Sequence, residues 1–214
     1  MADFTFFYNP MSRAQIARWA LHEVGADYAP VLVEWEAKPA ALLAANPMGK
    51  LPTIIHHAPF GDRVVSEAAA VCHYLAEVQG HDLLPTVEEK ADYYRWLFFA
   101  AGPGETGISA KAMGFDSGDD LRKQISLGWG SYQRVVDSLD GWFADHDFVC
   151  GTRFTMADVY VGSQIDWGLA FGTLPNLPNF QAYAERCRAR PAYAEAKAID
   201  TGLIAKMQQQ QQQQ

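Results

Sequence analysis

The chain has 214 residues, 49% of them hydrophobic and 13% aromatic, enough to fill one large domain or two small ones. A formal net charge of −8 argues against general binding to nucleic acid or an anionic membrane. Any anionic ligand needs a local basic patch, for which Arg13, Arg18 and Lys50 are the candidates. Phe4-Thr5-Phe6-Phe7-Tyr8 is aromatic and β-prone, a strand buried on at least one face and ended by Asn9-Pro10. Ser12 then starts a helix with Ile16, Trp19, Ala20 and Leu21 at helical spacing, stopped by Gly25. Tyr28–Trp35 is a second strand, joined through that helix as a right-handed βαβ unit. Pro39–Ala45 is a short helix, Leu51–His57 and Arg63–Val65 form an antiparallel hairpin, and Ser66–Gln79 is a helix. The order βαβαββα describes an α/β unit over residues 1–80.

After Gly80 the pattern changes to helical periodicity with no strand. Thr86 with Glu89 and Thr155 with Asp158 read as capping boxes, and Phe154 suits a hydrophobic staple against Val159. Gly102-Pro103-Gly104 breaks or kinks the first long helix. The expected division is an α/β domain over 1–80 and an all-helical domain over 86–207. The polyglutamine stretch 208–214 lies outside the fold.

The three cysteines, Cys72, Cys150 and Cys187, are far apart, which argues against a disulfide framework and for a reducing compartment. His56-His57 would point to opposite faces of a strand and no Cys/His ligand spacing occurs, so no metal site is expected. The start of the chain lacks a signal-peptide pattern and no apolar run is long enough for a bilayer, so a cytoplasmic protein without membrane contact is expected.

The most informative stretch is Asn46-Pro47-Met48-Gly49-Lys50-Leu51-Pro52-Thr53-Ile54. A proline opening a strand cannot donate a ladder hydrogen bond and belongs at a turn or edge. If the Leu51–Pro52 bond is cis, the turn aims the Leu51 backbone N–H and C=O outward. The helix from Ser66 offers free N–H groups and a positive dipole end beside it, a pair suited to the backbone and carboxylate of a small peptide. A plain structural turn is the alternative reading.

Asn46-Pro-Met-Gly-Lys-Leu-Pro52, Glu67-Ala-Ala-Ala-Val-Cys-His-Tyr-Leu75 and Gly151-Thr-Arg-Phe-Thr-Met-Ala-Asp158, in that order, resemble segments of the cytosolic, bacterial-type glutathione S-transferases. The resemblance reaches to about Met207. It implies a thioredoxin-like domain that binds glutathione as co-substrate and a helical domain that shapes the site for a hydrophobic electrophile. Leu51, beside Pro52, would pair with the cysteinyl part of glutathione, Glu67 would meet the γ-glutamyl ammonium, and Lys50 the glycyl carboxylate. Ala68 replaces the family's usual serine, so a hydroxyl donor is missing, although its backbone N–H can still hold a carboxylate.

The resemblance places the thiolate-stabilising residue at Ser12, as in serine-type members, with Arg13 adding positive potential. Ser12 with Gln15 also reads as an ordinary capping box, and Tyr8 or Asn9 are rivals for the sulfur. Met11 stands where a redox cysteine would be expected, so mixed-disulfide chemistry is not expected. The electrophile candidates are Met11, Phe99, Glu105 and Met113; Glu105 reads equally as a solvent-facing loop acid. The implied activity is a glutathione transferase of the detoxifying kind, acting as a homodimer. A glutathione-dependent isomerase, dehalogenase or ether-cleaving enzyme, or a non-catalytic glutathione-binding module, stay open.

Overall fold

The structure is a computed structural model that describes residues 2–212. The chain forms two compact units, Met1–Leu84 together with Ala189–Gln214, and Pro85–Arg188.

The first unit is built on β1 (Phe4–Tyr8), β2 (Tyr28–Leu32), β3 (Thr53–Ala58) and β4 (Gly61–Ser66), in the order β2-β1-β3-β4. β1 runs parallel to β2 and antiparallel to β3, and β3 and β4 form the expected hairpin. Two helices connect strands, α1 (Ala14–Glu23) and α2 (Ala40–Ala45), and a third, α3 (Ala68–Gln79), follows β4. The period-2 alternation of β1 sorts its aromatics between two faces. Phe6 and Tyr8 lie against Arg18 of α1, while Phe4 stacks on His56, whose Nδ1 is 2.8 Å from Tyr74 Oη on α3. Phe7 faces the other way and packs with Val33 and Leu42 of α2, joined by Val31, Leu51 and Ile55. His57 likewise points away from His56 and bonds Thr5 Oγ1 and Asp62.

Several boundaries differ from the sequence expectation. β2 ends at Leu32 rather than Trp35, and β3 starts at Thr53 because the residues before it form the proline turn. Ser66 closes β4 instead of opening a helix, so α3 begins at Ala68 after a corner at Glu67.

The final helix, α10 (Pro191–Gln211), groups with the first unit, although chain order places it after the helical domain. It is bonded to α1 by the buried ion pair Arg18–Asp200 at 3.0 Å and by Arg190–Glu23 at 2.6 Å. Tyr193 adds an edge contact to Trp19. The helix runs on through Gln208–Gln211, where the sequence reading had ended the fold; glutamine is a good helix former and no breaker intervenes. Gln213 and Gln214 lie outside the described residues.

The second unit is helical: α4 (Lys90–Phe99), α5 (Glu105–Ala112), α6 (Leu121–Ser126), α7 (Tyr132–Phe143), α8 (Met156–Ala170) and α9 (Pro178–Arg188). Gly102-Pro103-Gly104 falls where the first long helix is interrupted, between α4 and α5. Ala100–Gly104 forms a wide π-type turn that accommodates Pro103, which has no N–H to donate to the preceding turn. α8 is buried on nearly all sides and forms the centre of this unit.

Its start is the expected Thr155/Asp158 capping box, and Phe154 packs edge-on against Phe148. At α4, Thr86 N–H bonds Glu89, which also holds Arg153. No helix among the described residues is long and apolar enough to cross a membrane.

Candidate functional site

The strand register decides which of the sequence-predicted residues meet. Phe7 of β1 lies opposite Thr53 of β3, and Thr53 lies opposite Ser66 of β4. The turn after β1, the turn before β3 and the corner after β4 therefore share one end of the sheet. Met11, Ser12 and Arg13 come from the first, Lys50, Leu51 and Pro52 from the second, and Glu67 and Ala68 from the third.

The middle turn is fixed by one buried side chain. Asn46 donates from Nδ2 to the Lys50 carbonyl and to Thr53 Oγ1, and accepts the Met48 N–H on Oδ1. Gly49 takes a φ of +60°, a conformation that asks for glycine. The Leu51–Pro52 bond is cis. The Leu51 backbone N–H and C=O enter no hydrogen bond among the described residues, so both stay available to an extended ligand.

Glu67 sits at the corner before α3 with φ +68°, the one positive φ outside glycine among the described residues. A side-chain-bearing residue there stores about 1–3 kcal/mol of strain. Beyond the corner, the first N–H groups of α3 have no intrahelical partner and form the positive end of the helix dipole. Glu67→Gly is expected to raise stability by about 1 kcal/mol after the added entropy of glycine in the unfolded chain. Thermal melting against Glu67→Gln, expected to melt with the wild type, checks this; a Glu67→Gly variant that melts lower would show that the corner is relaxed.

Ser12 lies in a turn just ahead of α1. Its hydroxyl donates to the Asn9 carbonyl at 2.7 Å and accepts the Ala14 N–H at 3.1 Å. The anticipated capping box with Gln15 does not form. The Gln15 amide instead donates to the Pro10 carbonyl, and the helix begins at Ala14. Ser12 thus has a local cap bond and also a hydroxyl proton placed on an acceptor in the same turn.

The rivals are less available. Tyr8 is buried with its ring 4.4 Å from the Arg18 guanidinium. Asn9 is 1% exposed, with Nδ2 donating to the Val33 carbonyl and Oδ1 accepting the Met11 N–H.

Arg18 is withdrawn from the candidate basic patch. It is 2% exposed, paired with Asp200, and donates to Tyr28 Oη. Burial pushes the Asp200 carboxyl up, with Arg18 beside it pulling the other way. A charge within the apolar positions of α1 was the sequence signal for this pair, since buried charges need partners. Arg13 and Lys50 are exposed in the turns at that end of the sheet.

The electrophile candidates scatter in character. Met11 is exposed and lies beside Ser12, and Met113 is 72% exposed. Phe99 packs edge-on against Trp96, 5.1 Å between centroids. Glu105 is not a free loop acid; it accepts bonds from Tyr160 Oη and Gln164 Nε2. Cys72 and Cys187 are buried and their thiols are pushed up by desolvation. Burial raises Cys150 to about 12. These thiols are held protonated and inert.

A thioredoxin-like α/β domain with a cis-proline turn, together with a helical domain, is the class that this fold and site define. The family model for the glutathione S-transferase N-terminal domain matches residues 10–78, and that for the C-terminal domain matches residues 130–191. The chain belongs to the glutathione S-transferase family.

It is 24% identical over 202 residues to glutathione S-transferase GstA of Escherichia coli O157:H7, covering 91% of this chain and 97% of the relative. Its fold is similar to that of a glutathione transferase from Methylococcus capsulatus str. Bath, with a TM-score of 0.74 at 24% identity over 92% and 98% of the two chains. It is also similar to glutathione transferase URE2P6 from Phanerochaete chrysosporium, solved with oxidized glutathione. That match has a TM-score of 0.77 at 18% identity, over 94% and 97% of the two chains.

Proposed function

We propose that the cluster at this end of the sheet binds glutathione and that Ser12 holds its sulfur as a thiolate for attack on a hydrophobic electrophile. The observation that carries this reading is the register that sets the Ser12 turn, the cis Leu51–Pro52 turn and the start of α3 at one end of the sheet. The Leu51 N–H and C=O pair with the cysteinyl part of the tripeptide, as a strand pairs with an edge. The Ala68 N–H at the start of α3 takes the γ-glutamyl carboxylate, Glu67 takes its ammonium, and Lys50 takes the glycyl carboxylate.

The thiolate is the nucleophile, because the neutral thiol attacks poorly. The Ala14 N–H bonded to Ser12 Oγ polarises the hydroxyl, and rotation about Cβ–Oγ moves its proton from the Asn9 carbonyl toward sulfur. Arg13 and the start of α1 add positive potential. The thiol proton leaves to solvent and sulfur forms a bond to the electrophilic carbon. In substitution the leaving group departs with its electron pair; in addition the electron pair moves onto the acceptor. Met11, Phe99, Glu105 and Met113 are assigned to the electrophile. A homodimer, a serine-type active site, a cytoplasmic location and a role in detoxification belong to the same reading and rest on the family.

Glutathione titrated into the protein, with thiolate absorbance followed against pH, tests this. The bound thiol is expected to ionise about two units below its reference of about 8.5. Glu67→Gln is expected to weaken binding about ten- to hundredfold, the scale of one charge-assisted hydrogen bond, about 1.5–3 kcal/mol. Glutathione that binds with an unshifted thiol would leave a non-catalytic binding module, for which the missing hydroxyl at Ala68 already offers a reason.

A further inference from the structure

We propose that Gln15 is a positioning residue for the Ser12 turn, and that the C-terminal helix orients it through Lys197. This inference rests on the reading of Ser12 as the thiolate-stabilising residue. Gln15 is half-buried on the first turn of α1. Its Nε2 donates to the Pro10 carbonyl, and its Oε1 accepts from Lys197 Nζ of α10 at 3.2 Å. The orientation of the amide follows from its partners. The reverse would set an NH2 against an ammonium and an oxygen against a carbonyl.

The turn that carries Ser12 is held at three points. Asn9 bonds the Val33 carbonyl, Met11 N–H bonds the Asn9 side chain, and Gln15 bonds the Pro10 carbonyl. Only the third leads out to α10. Proline has no N–H, so its carbonyl is the one backbone group through which Pro10 can be tied by hydrogen bonding. The Pro10 carbonyl lies between Asn9, whose carbonyl accepts the Ser12 proton, and Ser12 itself. Releasing it loosens the acceptor and the hydroxyl together.

α10 makes a rigid support for this tie because Arg18–Asp200 and Arg190–Glu23 fasten it to α1 on the same unit. Two residues 182 positions apart in sequence thereby set the aim of a hydroxyl that touches neither.

The test uses the full chain with Gln15→Leu, Lys197→Met, and the paired exchange Gln15→Lys with Lys197→Glu. The exchange restores a donor to the Pro10 carbonyl and a charge partner on α10. Gln15→Leu keeps the Lys197 charge, so its effect is not electrostatic loss at the sulfur. The readouts are the pKa of enzyme-bound glutathione by thiolate absorbance, glutathione affinity, and the melting temperature.

Gln15→Leu is expected to raise the bound thiol pKa by about one unit, a roughly tenfold loss of thiolate below that pKa, with affinity at pH 6.5 changed less than about threefold. Lys197→Met should move it the same way by less, and the paired exchange should return it toward the wild type. If Gln15→Leu fails to fold, Lys197→Met and the exchange carry the same comparison. A lower melting temperature with an unmoved thiol pKa overturns the inference and leaves Gln15 a structural tie. A wild-type complex whose thiol is not depressed at all sinks the Ser12 reading, and this inference with it, which is a distinguishable result.

Discussion

Ser12→Ala is expected to return the pKa of bound glutathione toward about 8.5 and, at saturating glutathione, to lower kcat/KM for the electrophile about 50-fold at pH 6.5. A bound thiol that ionises near 6.5 is about half thiolate at that pH, whereas one at 8.5 is about 1% thiolate. The two units correspond to about 2.7 kcal/mol of preference for the anion. A hydroxyl already polarised by the Ala14 N–H and backed by the first turn of α1 can supply energy on that scale. The loss should shrink as pH rises, because above about 9 both thiols are ionised and the serine has nothing left to contribute. Wild type and variant should therefore converge at the alkaline end of a pH–rate profile. At pH 6.5 and below, glutathione affinity, set mainly by the Leu51 and α3 contacts, should change only about twofold. A depressed thiol pKa that survives Ser12→Ala would move the role to Tyr8, testable by Tyr8→Phe. Asn9 is a weaker successor, because its amide is already engaged with the Val33 carbonyl and the Met11 N–H.

The parts of this site that were legible in the sequence are those written in local chemistry. Leu51-Pro52 before an alternating run marks a turn at a strand start. Thr155 three residues before Asp158 marks a helix start. The aromatic run Phe4–Tyr8 marks a buried strand. What the sequence did not carry depends on long-range partners. Arg18 read as a surface cation for an anionic ligand, yet its partner Asp200 lies 182 residues away and no local pattern names it. For the same reason α10 read as the end of the helical domain; its contacts to α1 assign it to the first unit.

The strained Glu67 corner had no signal, because a positive φ at a non-glycine residue is imposed by the surrounding strand and helix rather than by the residue. Gln15 was visible as a capping residue, but its amide went to Pro10 and Lys197 because the helix starts two residues later than expected. The missed features share one cause: each is set by the tertiary fold rather than by local sequence.

Asp158→Ala is expected to cost the second unit several kcal/mol, enough to abolish soluble expression in a chain of ordinary marginal stability. Asp158 is fully buried and accepts from Val149 N–H at 2.7 Å, Tyr183 Oη at 2.9 Å, Thr155 N–H at 2.8 Å and Thr155 Oγ1 at 3.0 Å. Removing it strands three donors that cannot reach water, Val149 N–H, Thr155 N–H and Tyr183 O–H, at about 1–3 kcal/mol each. It also removes the cap of α8, the helix on which that unit is built.

Asp158→Asn, which keeps one acceptor oxygen, is the variant to melt if the alanine form does not accumulate. The pH dependence tests which force rules the site. Burial pushes the Asp158 carboxyl up to about 6, against the four donors that pull it down. A carboxyl raised on folding favours the folded state most below its unfolded pKa of about 3.9, and that contribution is lost as pH rises through about 6. The melting-temperature gap between wild type and Asp158→Asn should therefore be widest near pH 4 and narrow by pH 7. A gap that widens with pH would mean that the hydrogen bonds outweigh burial and that the fold prefers the carboxylate.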